Sequence, residues 1–234
     1  MKILSLDTSA TVASVAITEN STPLAEYTLN AKNTHSETLL PMIESALSFL
    51  SLKVSDIDLF ALSAGPGSFT GVRIGAATVK GLSFGYNKPC VEVSTLEALA
   101  QNLVIKEGLI CPVMNARRSQ VYTALFRSNG KELVRLMPDS ALSTEELDTI
   151  LTEYNEPIYL VGDGYELCEK EFTKVKPAYV PEAMRLQSAL SVAAIALKKF
   201  ENGEICTDSA LSVNYLRPSQ AERERAEREE NSIK

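Results

Sequence analysis

The stretch "KILSLDTSATVASVAIT" (Lys2–Thr18) sets the fold class of this sequence. Two runs rich in apolar residues flank a short Asp-Thr-Ser turn, which is the pattern of a β-hairpin. The segment "LICPVMNARRSQVYTALF" (Leu109–Phe126) repeats the order of strand, polar turn and strand, with Asn115 at the position of Asp7. The repeated hairpin predicts that the chain contains a duplicated unit.

The elements that follow each hairpin also match. The first hundred residues have the order β-β-β-α-β-α-β-α, and the second half follows the same order in abbreviated form. Such alternation predicts mixed sheets with helices on their faces. We predict an N-terminal α/β lobe over residues 1–104, a C-terminal α/β lobe over residues 105–217 and a charged tail over residues 218–234.

Composition narrows the classes of function. The 234 residues carry a net charge of -7, which disfavours a protein whose sole task is to bind nucleic acid. Four widely spaced cysteines without a CxxC pair indicate reduced thiols. No apolar run approaches the ~20 residues of a membrane span, and Asp7 interrupts the apolar N-terminus. We therefore expect a cytoplasmic protein that does not contact a membrane.

The segment "SAGPGSFTGVRIGAATVKGLSFG" (Ser63–Gly85) is rich in glycine but matches neither nucleotide motif. A P-loop needs Lys directly after its last glycine, and the dinucleotide fingerprint needs glycine where Thr70 stands. On a helix, Gly71, Gly75 and Val79 instead form a flat stripe. Glycine inside a helix costs ~1 kcal/mol relative to alanine, so the stripe predicts close approach by another backbone or a ligand.

The preceding helix, predicted over Ser36–Leu50, has an unusually wide apolar surface. Its polar or imino positions from Leu39 onward fall on one narrow stripe: Pro41, Glu44, Ser45 and Ser48. Ser36 or Thr38 could cap its N-terminus, with the proline in or near the first turn. Two interpretations stay open, a deeply buried core helix and a helix that packs on the sheet and on a partner.

Asp7 is the first candidate for chemistry, because a carboxylate beside small hydroxyl residues can hold hydrated Mg²⁺ and a phosphate. Duplicated ATPases of the actin and sugar-kinase type place an aspartate on both hairpins, whereas here the second position is Asn115. We therefore interpret Asp7 as a turn residue that accepts hydrogen bonds from local N–H groups. An ATPase or kinase that uses Asp7 remains the alternative function.

Histidine and arginine give weaker signals. His35 is the single histidine and has no nearby ligand-type residue, so we predict a structural role, no metal site and, as a remote alternative, a metallopeptidase. The sequence contains no elbow of a serine hydrolase. Arg117 and Arg118 follow Asn115 on the second turn, where paired arginines can bind a carboxylate or phosphate or can be solvated charges. Both interpretations of the arginines stay open.

Six segments together resemble the TsaB (YeaZ) family. They are "LSLDTS", "HSETLLPMIESAL", "GPGSFTGVRIGAATVKGLS", "VSTLEALA", "NARRSQVYTALF" and "YLRPSQAE", in this order over nearly the whole chain. The resemblance implies a two-lobed, duplicated fold of the actin-like ATPase (ASKHA) superfamily. Asn115 departs from the family pattern, which usually has aspartate before Ala-Arg.

The resemblance also implies a function. It implies a scaffold subunit in the complex that makes N6-threonylcarbamoyladenosine at position 37 of tRNA. Such a subunit has no catalytic residues, metal or cofactor of its own. The implied partners are TsaD, which performs the transfer, and the ATPase TsaE, with tRNA reached indirectly through the complex. An exposed apolar surface would drive homodimerisation when TsaD is absent.

The expected interface with TsaD lies on the first two helices, over Ser36–Leu50 and Thr70–Phe84. The interface residues predicted from the apolar helix and the glycine stripe are Leu39, Leu40, Ile43, Leu47, Gly71, Arg73, Gly75 and Val79.

Overall fold

A computed structural model describes residues 1–31 and 34–217 as two mixed sheets with helices on their faces. The first sheet contains β1 (Lys2–Asp7), β2 (Ala13–Glu19), β3 (Thr22–Leu29), β4 (Leu59–Ser63) and β5 (Cys90–Val93). The second contains β6 (Gly108–Arg117), β7 (Gln120–Ser128), β8 (Leu133–Ser143) and β9 (Ile158–Val161). The helices are α1 (His35–Phe49), α2 (Phe69–Phe84), α3 (Thr95–Gln101), α4 (Thr144–Leu151), α5 (Tyr165–Glu171) and α6 (Ala189–Glu201).

The two sheets share one topology. Their strand orders are β3-β2-β1-β4-β5 and β8-β7-β6-β9. In each, the first strand of the hairpin pairs antiparallel with the second and parallel with a strand that follows a helix. The duplication predicted from the hairpins is therefore confirmed, with the second copy shorter by one edge strand.

Two helices pack on the sheet of the other half of the chain: α3 on the second sheet and α6 on the first. Leu96, Leu99 and Leu103, on or just after α3, belong to the core of the second sheet. Conversely, α6 packs on the first sheet, where Val192 and Ile195 join its core. The boundary predicted at 104/105 thus falls just before β6. Each lobe, however, packs one helix that comes from the other side of this boundary in the sequence.

The helix ends follow local sequence signals. Ser94 and Ser143 each accept the N–H of the third following residue and cap α3 and α4. Gly203, with φ of +79°, follows the end of α6, in the left-handed conformation that glycine adopts readily. The caps predicted for α1 are wrong, because the helix begins at His35 and its capping residue Thr34 makes no side-chain cap bond.

The final described segment returns from α6 to the first sheet. Cys206 exchanges backbone hydrogen bonds with Cys90 at the edge strand β5, at 2.8 and 2.9 Å. Further along, the N–H of Asn214 donates to the carbonyl oxygen of Ala64 at 2.7 Å. We call residues 206–217 the C-terminal strap, because they cover this edge and continue to the space between the lobes. The predicted charged tail, 218–234, lies outside the described residues.

The described residues include no helix with the length and apolar character needed to cross a bilayer. Within the same ranges, the four cysteines are free and three of them are buried. Burial raises the pKa of the Cys111 thiol to about 12 and that of Cys206 to about 11, so both are protonated at neutral pH.

Asp148 on α4 gives a prediction about stability in acid. Its buried carboxylate accepts the N–H groups of Thr173, Lys174 and Val175 at 2.8–3.0 Å. Burial alone would raise the pKa of Asp148, but these bonds outweigh it and hold the pKa below the ordinary 3.8. The stabilisation is therefore present above pH 3.8 and is lost as the pH falls through the folded-state pKa.

We expect Asp148→Asn to lower the free energy of unfolding by about 1–3 kcal/mol at pH 7, since the amide replaces a charged acceptor. The difference should shrink below pH 3.8. Urea unfolding at pH 7 and pH 3 measures it, with Glu145→Gln on the exposed side of the same helix as the control. Equal stability of the two variants at pH 7 would refute this role.

Candidate functional site

The glycine stripe of α2 faces the turn between β1 and β2. A methyl group on Gly71 would overlap the carbonyl oxygen of Thr8, and one on Gly75 would lie 2.5 Å from the Thr8 hydroxyl oxygen. The same hydroxyl donates to the carbonyl oxygen of Gly71 at 2.8 Å, and the N–H of Ser68 donates to the carbonyl oxygen of Ser9 at 2.6 Å. The close backbone predicted from the glycines is therefore the chain's own hairpin turn.

This packing corrects the residue list of the predicted interface. Six of its members are buried inside the chain: Leu39, Ile43, Leu47, Gly71, Gly75 and Val79. Only Leu40 and Arg73 are exposed. The cause is the packing of the lobe: the more apolar side of each helix packs on the first sheet, and Gly71 and Gly75 pack against the β1–β2 turn.

The exposed sides of α1 and α2 nevertheless carry large apolar residues. Phe49 is 81% exposed and Phe84 is 73% exposed, at the C-terminal ends of the two helices. Both helices begin beside the β1–β2 turn, so these ends lie on the same side of the lobe. We call the exposed surface of Phe49 and Phe84 the helical face; Leu40, on the opposite side of α1 from Phe49, and Tyr86, beyond the end of α2, are exposed as well. Ala77 and Gly81 extend the exposed stripe of α2 with little relief, and nothing in the described structure lies within 4 Å of a methyl group built on Gly81.

Asp7 is sealed inside the first lobe. It is 1% exposed and accepts hydrogen bonds from the hydroxyls of Ser63 (2.5 Å) and Ser9 (2.6 Å) and from the Ser9 N–H (2.9 Å). Burial raises the pKa of Asp7, and the hydrogen bonds offset this only in part. The geometry agrees with the interpretation of Asp7 as a residue that stabilises its own turn.

The matching position of the second lobe has a different environment. Asn115 is exposed, its side-chain oxygen accepts the Arg117 N–H at 2.8 Å, and its own N–H donates to Asp163 at 3.0 Å. Asp163 lies in the Gly-Asp-Gly turn after β9 and was not among the residues predicted for the site. Asp163 lines the space between the lobes, whereas Asp7 does not line it.

His35 holds the start of α1 to the hairpin turn. Its Nε2–H donates to the carbonyl oxygen of Ala10 at 2.7 Å, which agrees with the predicted structural role. Among the residues that the structure describes, no group of three or more His, Cys, Asp or Glu side chains is placed to hold a metal ion.

A cleft of about 660 Å³ separates the lobes. The β1–β2 turn, the start of α2, the end of β6 and the C-terminal strap form its walls. Tyr215 of the strap packs on the Phe69 ring with centroids 4.7 Å apart and accepts a hydrogen bond from Arg73 Nε at 2.7 Å. The only sequence signal for this contact is the "YLRPSQAE" segment, whose role its residue types do not reveal.

One of the two arginines left open between binding and solvation lies at this cleft. Arg117 lines it, and Arg118 follows on the same exposed turn. Arg217 of the strap also lines the cleft and donates from Nη1 to the carbonyl oxygen of Ala116 at 3.4 Å.

Comparison with known proteins agrees with the fold and with the motifs. The family model described as "TsaD: tRNA N6-adenosine threonylcarbamoyltransferase" matches residues 24–222. The "tRNA threonylcarbamoyladenosine biosynthesis protein TsaB" of Bacillus subtilis (strain 168) is 31% identical over 224 residues, covering 95% of this chain and 96% of that protein.

Solved structures give the same assignment. "YeaZ from Pseudomonas aeruginosa" superimposes with a TM-score of 0.81 at 25% identity and covers 92% of this chain and 99% of that chain. The ethanolamine utilization protein EutJ from Carboxydothermus hydrogenoformans, with a TM-score of 0.54 and 13% identity over 83% of this chain and 89% of its own, shares the fold alone. The two-lobed actin-like ATPase fold predicted from the sequence is confirmed, and the chain belongs to the TsaB (YeaZ) family.

Proposed function

We propose that this chain is a non-catalytic scaffold in the biosynthesis of N6-threonylcarbamoyladenosine at position 37 of tRNA. In this proposal it binds TsaD, and TsaE joins the pair. The name of the Bacillus subtilis relative supports the pathway, and the matching family model carries the name of the transferase.

The observation that carries the proposal is the helical face. Isolated apolar residues are common on protein surfaces, but two phenylalanines exposed at the ends of adjacent helices favour a binding surface there. Phe49 and Phe84 project from the same end of α1 and α2, and the flat stripe around Gly81 would let a partner helix approach closely. The same face would serve self-association when TsaD is absent, because a partner of either kind removes it from water.

The cleft supports a scaffold rather than an independent ATPase. Asp7, the acid of the alternative function, is enclosed by three hydrogen bonds, and the matching residue of the second lobe is the neutral Asn115. Asp163 is the carboxylate among the described cleft-lining residues. No observation favours the metallopeptidase alternative over the scaffold.

Reconstitution of tRNA modification with TsaD, TsaE and this chain tests the proposal. We expect activity to require the chain, and Asp7→Asn combined with Asp163→Asn to keep it within about twofold, since removing a catalytic acid or base costs about 10²–10⁴-fold. The amides keep the size of both side chains, and a thermal melt reports whether the variant is folded. If tRNA is modified without the chain, or if the folded variant loses about 10²-fold of the activity, the scaffold assignment is wrong.

A further inference from the structure

Two arginines that form no ion pair in the described part of the chain line the cleft, and a third follows one of them in the sequence. Among the described residues, Arg127 and Arg135 form ion pairs with carboxylates, whereas Arg117, Arg118 and Arg217 form none. Arg117 and Arg217 both line the cleft, and the hydrogen bond from Arg217 to Ala116 brings the strap against the β6–β7 turn. This is a local concentration of positive charge in a protein whose net charge is -7.

The turn that carries two of these arginines has an uncommon backbone. Arg117, Arg118 and Ser119 have φ values of +65°, +55° and +51°, the left-handed region that residues other than glycine seldom occupy. Such strained conformations cluster at ligand-binding sites. Asn115 fixes the turn by accepting the Arg117 N–H. The turn thus places Arg117 at the cleft, while Arg118 faces a neighbouring pocket that Glu145 and Glu171 also line.

Aromatic side chains lie beside these cations. Phe69, Tyr122 and Tyr215 line the same cleft, and Tyr215 is 39% exposed. Guanidinium groups bind phosphate oxygens through paired N–H donors, and aromatic rings stack with bases, which is the combination used to bind single-stranded nucleic acid. Duplex RNA would not fit this use, since its bases are already stacked.

We propose that the β6–β7 turn and the cleft behind it bind a single-stranded segment of RNA. Arg117, Arg118 and Arg217 would contact phosphates, and an unstacked base would reach Tyr122 or Tyr215. The inference rests on the proposed function for its choice of RNA, because the relatives are named for a tRNA modification. It goes further by assigning a direct RNA contact to this chain instead of an indirect one through the partner.

Two acids set the limits of the site. Asp163 lies on the cleft wall, and Glu171 accepts a hydrogen bond from Ser119 at 3.1 Å on the far side of the turn. The backbone of the RNA would therefore follow the arginines along the mouth of the cleft and keep its phosphates away from both carboxylates.

The test compares Arg117→Gln combined with Arg118→Gln against Lys106→Gln combined with Lys131→Gln. The control pair removes the same charge from exposed positions at the opposite end of the β6–β7 hairpin. The affinity for a labelled tRNA is measured between 50 and 200 mM salt, on the chain alone and on its complex with TsaD. Thermal melts show that both variants are folded.

We expect the arginine variant to bind tRNA roughly 25-fold more weakly near 0.1 M salt and to lose about 1.4 from the salt slope, given about 0.7 per phosphate contact on a single strand. The lysine control should change the affinity less than about twofold. Equal affinity and equal salt slope for the two variants would overturn the inference. Loss of ATP binding without any effect on tRNA binding would overturn it too, because the site would then hold a free nucleotide.

The two proposals fail separately. If the chain does not bind TsaD, the scaffold function is wrong, while the comparison of variants on the chain alone still decides the RNA site. If the arginine variant binds TsaD normally and keeps full tRNA affinity, the RNA site is wrong and the scaffold stands.

Discussion

Gly71→Ala is expected to destabilise the protein by at least about 2 kcal/mol, although alanine is the better helix former. The added methyl group would overlap the carbonyl oxygen of Thr8, a backbone atom that cannot move without shifting the β1–β2 turn. Overpacking a tight site costs about 1–3 kcal/mol and occasionally more, which outweighs the gain of about 1 kcal/mol in helix propensity. The melting temperature should fall by roughly 4–8 °C for a protein of this size.

Gly81→Ala is the matched control, on the same helix and with open space around the added methyl group. With no clash to oppose it, helix propensity should raise stability by about 1 kcal/mol. Thermal or urea unfolding of both variants measures the contrast. A Gly71→Ala variant as stable as Gly81→Ala would mean that the turn does not contact the glycine stripe in solution.

The second large effect concerns the partner. Phe49→Glu combined with Phe84→Glu is expected to weaken binding to TsaD on the order of 100-fold or more, since buried aromatic anchors each contribute about 2 kcal/mol or more to an interface. Both side chains are exposed in the isolated chain, so the fold should tolerate the change. Titration calorimetry against purified TsaD measures the affinity.

Ile105→Glu combined with Tyr179→Glu provides the control for this experiment. These side chains are 68% and 74% exposed, but they lie on the second lobe. Their replacement should leave the affinity within about threefold, as for contacts outside an interface. If the control loses affinity as strongly as the helical-face variant, or if the latter still binds normally, the interface lies elsewhere.

Substitutions at the buried residues of α1 and α2 would not answer this question. Ile43 is 2% exposed, and a methyl group on Gly75 already meets the Thr8 hydroxyl. A charge at Ile43 or a long side chain at Gly75 would disturb the lobe itself, so loss of binding would report unfolding. The helical face separates the two effects because its side chains make few contacts within the chain.

The sequence predicted the architecture well because short-range patterns carry it. The repeated hairpin around Asp7 and Asn115 identified the duplication, and the strand and helix patterns that follow each hairpin identified the mixed sheets. Each signal depends on neighbours within a few residues, so no knowledge of the distant chain was needed. The TsaB (YeaZ) family followed from six such segments in the correct order.

The sequence also predicted that Gly71 and Gly75 are approached closely by another backbone or a ligand. Which backbone approaches was decided by the tertiary structure, because Thr8 lies more than sixty positions away and an apolar or flat helix surface looks the same whether its own chain or a partner covers it. For the same reason the cleft could not be predicted: Arg117 and Arg217 are a hundred residues apart, and the exchanged packing of α6 returns the strap to the first lobe. The local sequence determined the helices and strands of this protein. Which of their faces stay exposed depends on which distant segments of the chain pack on them, and only the tertiary structure shows that.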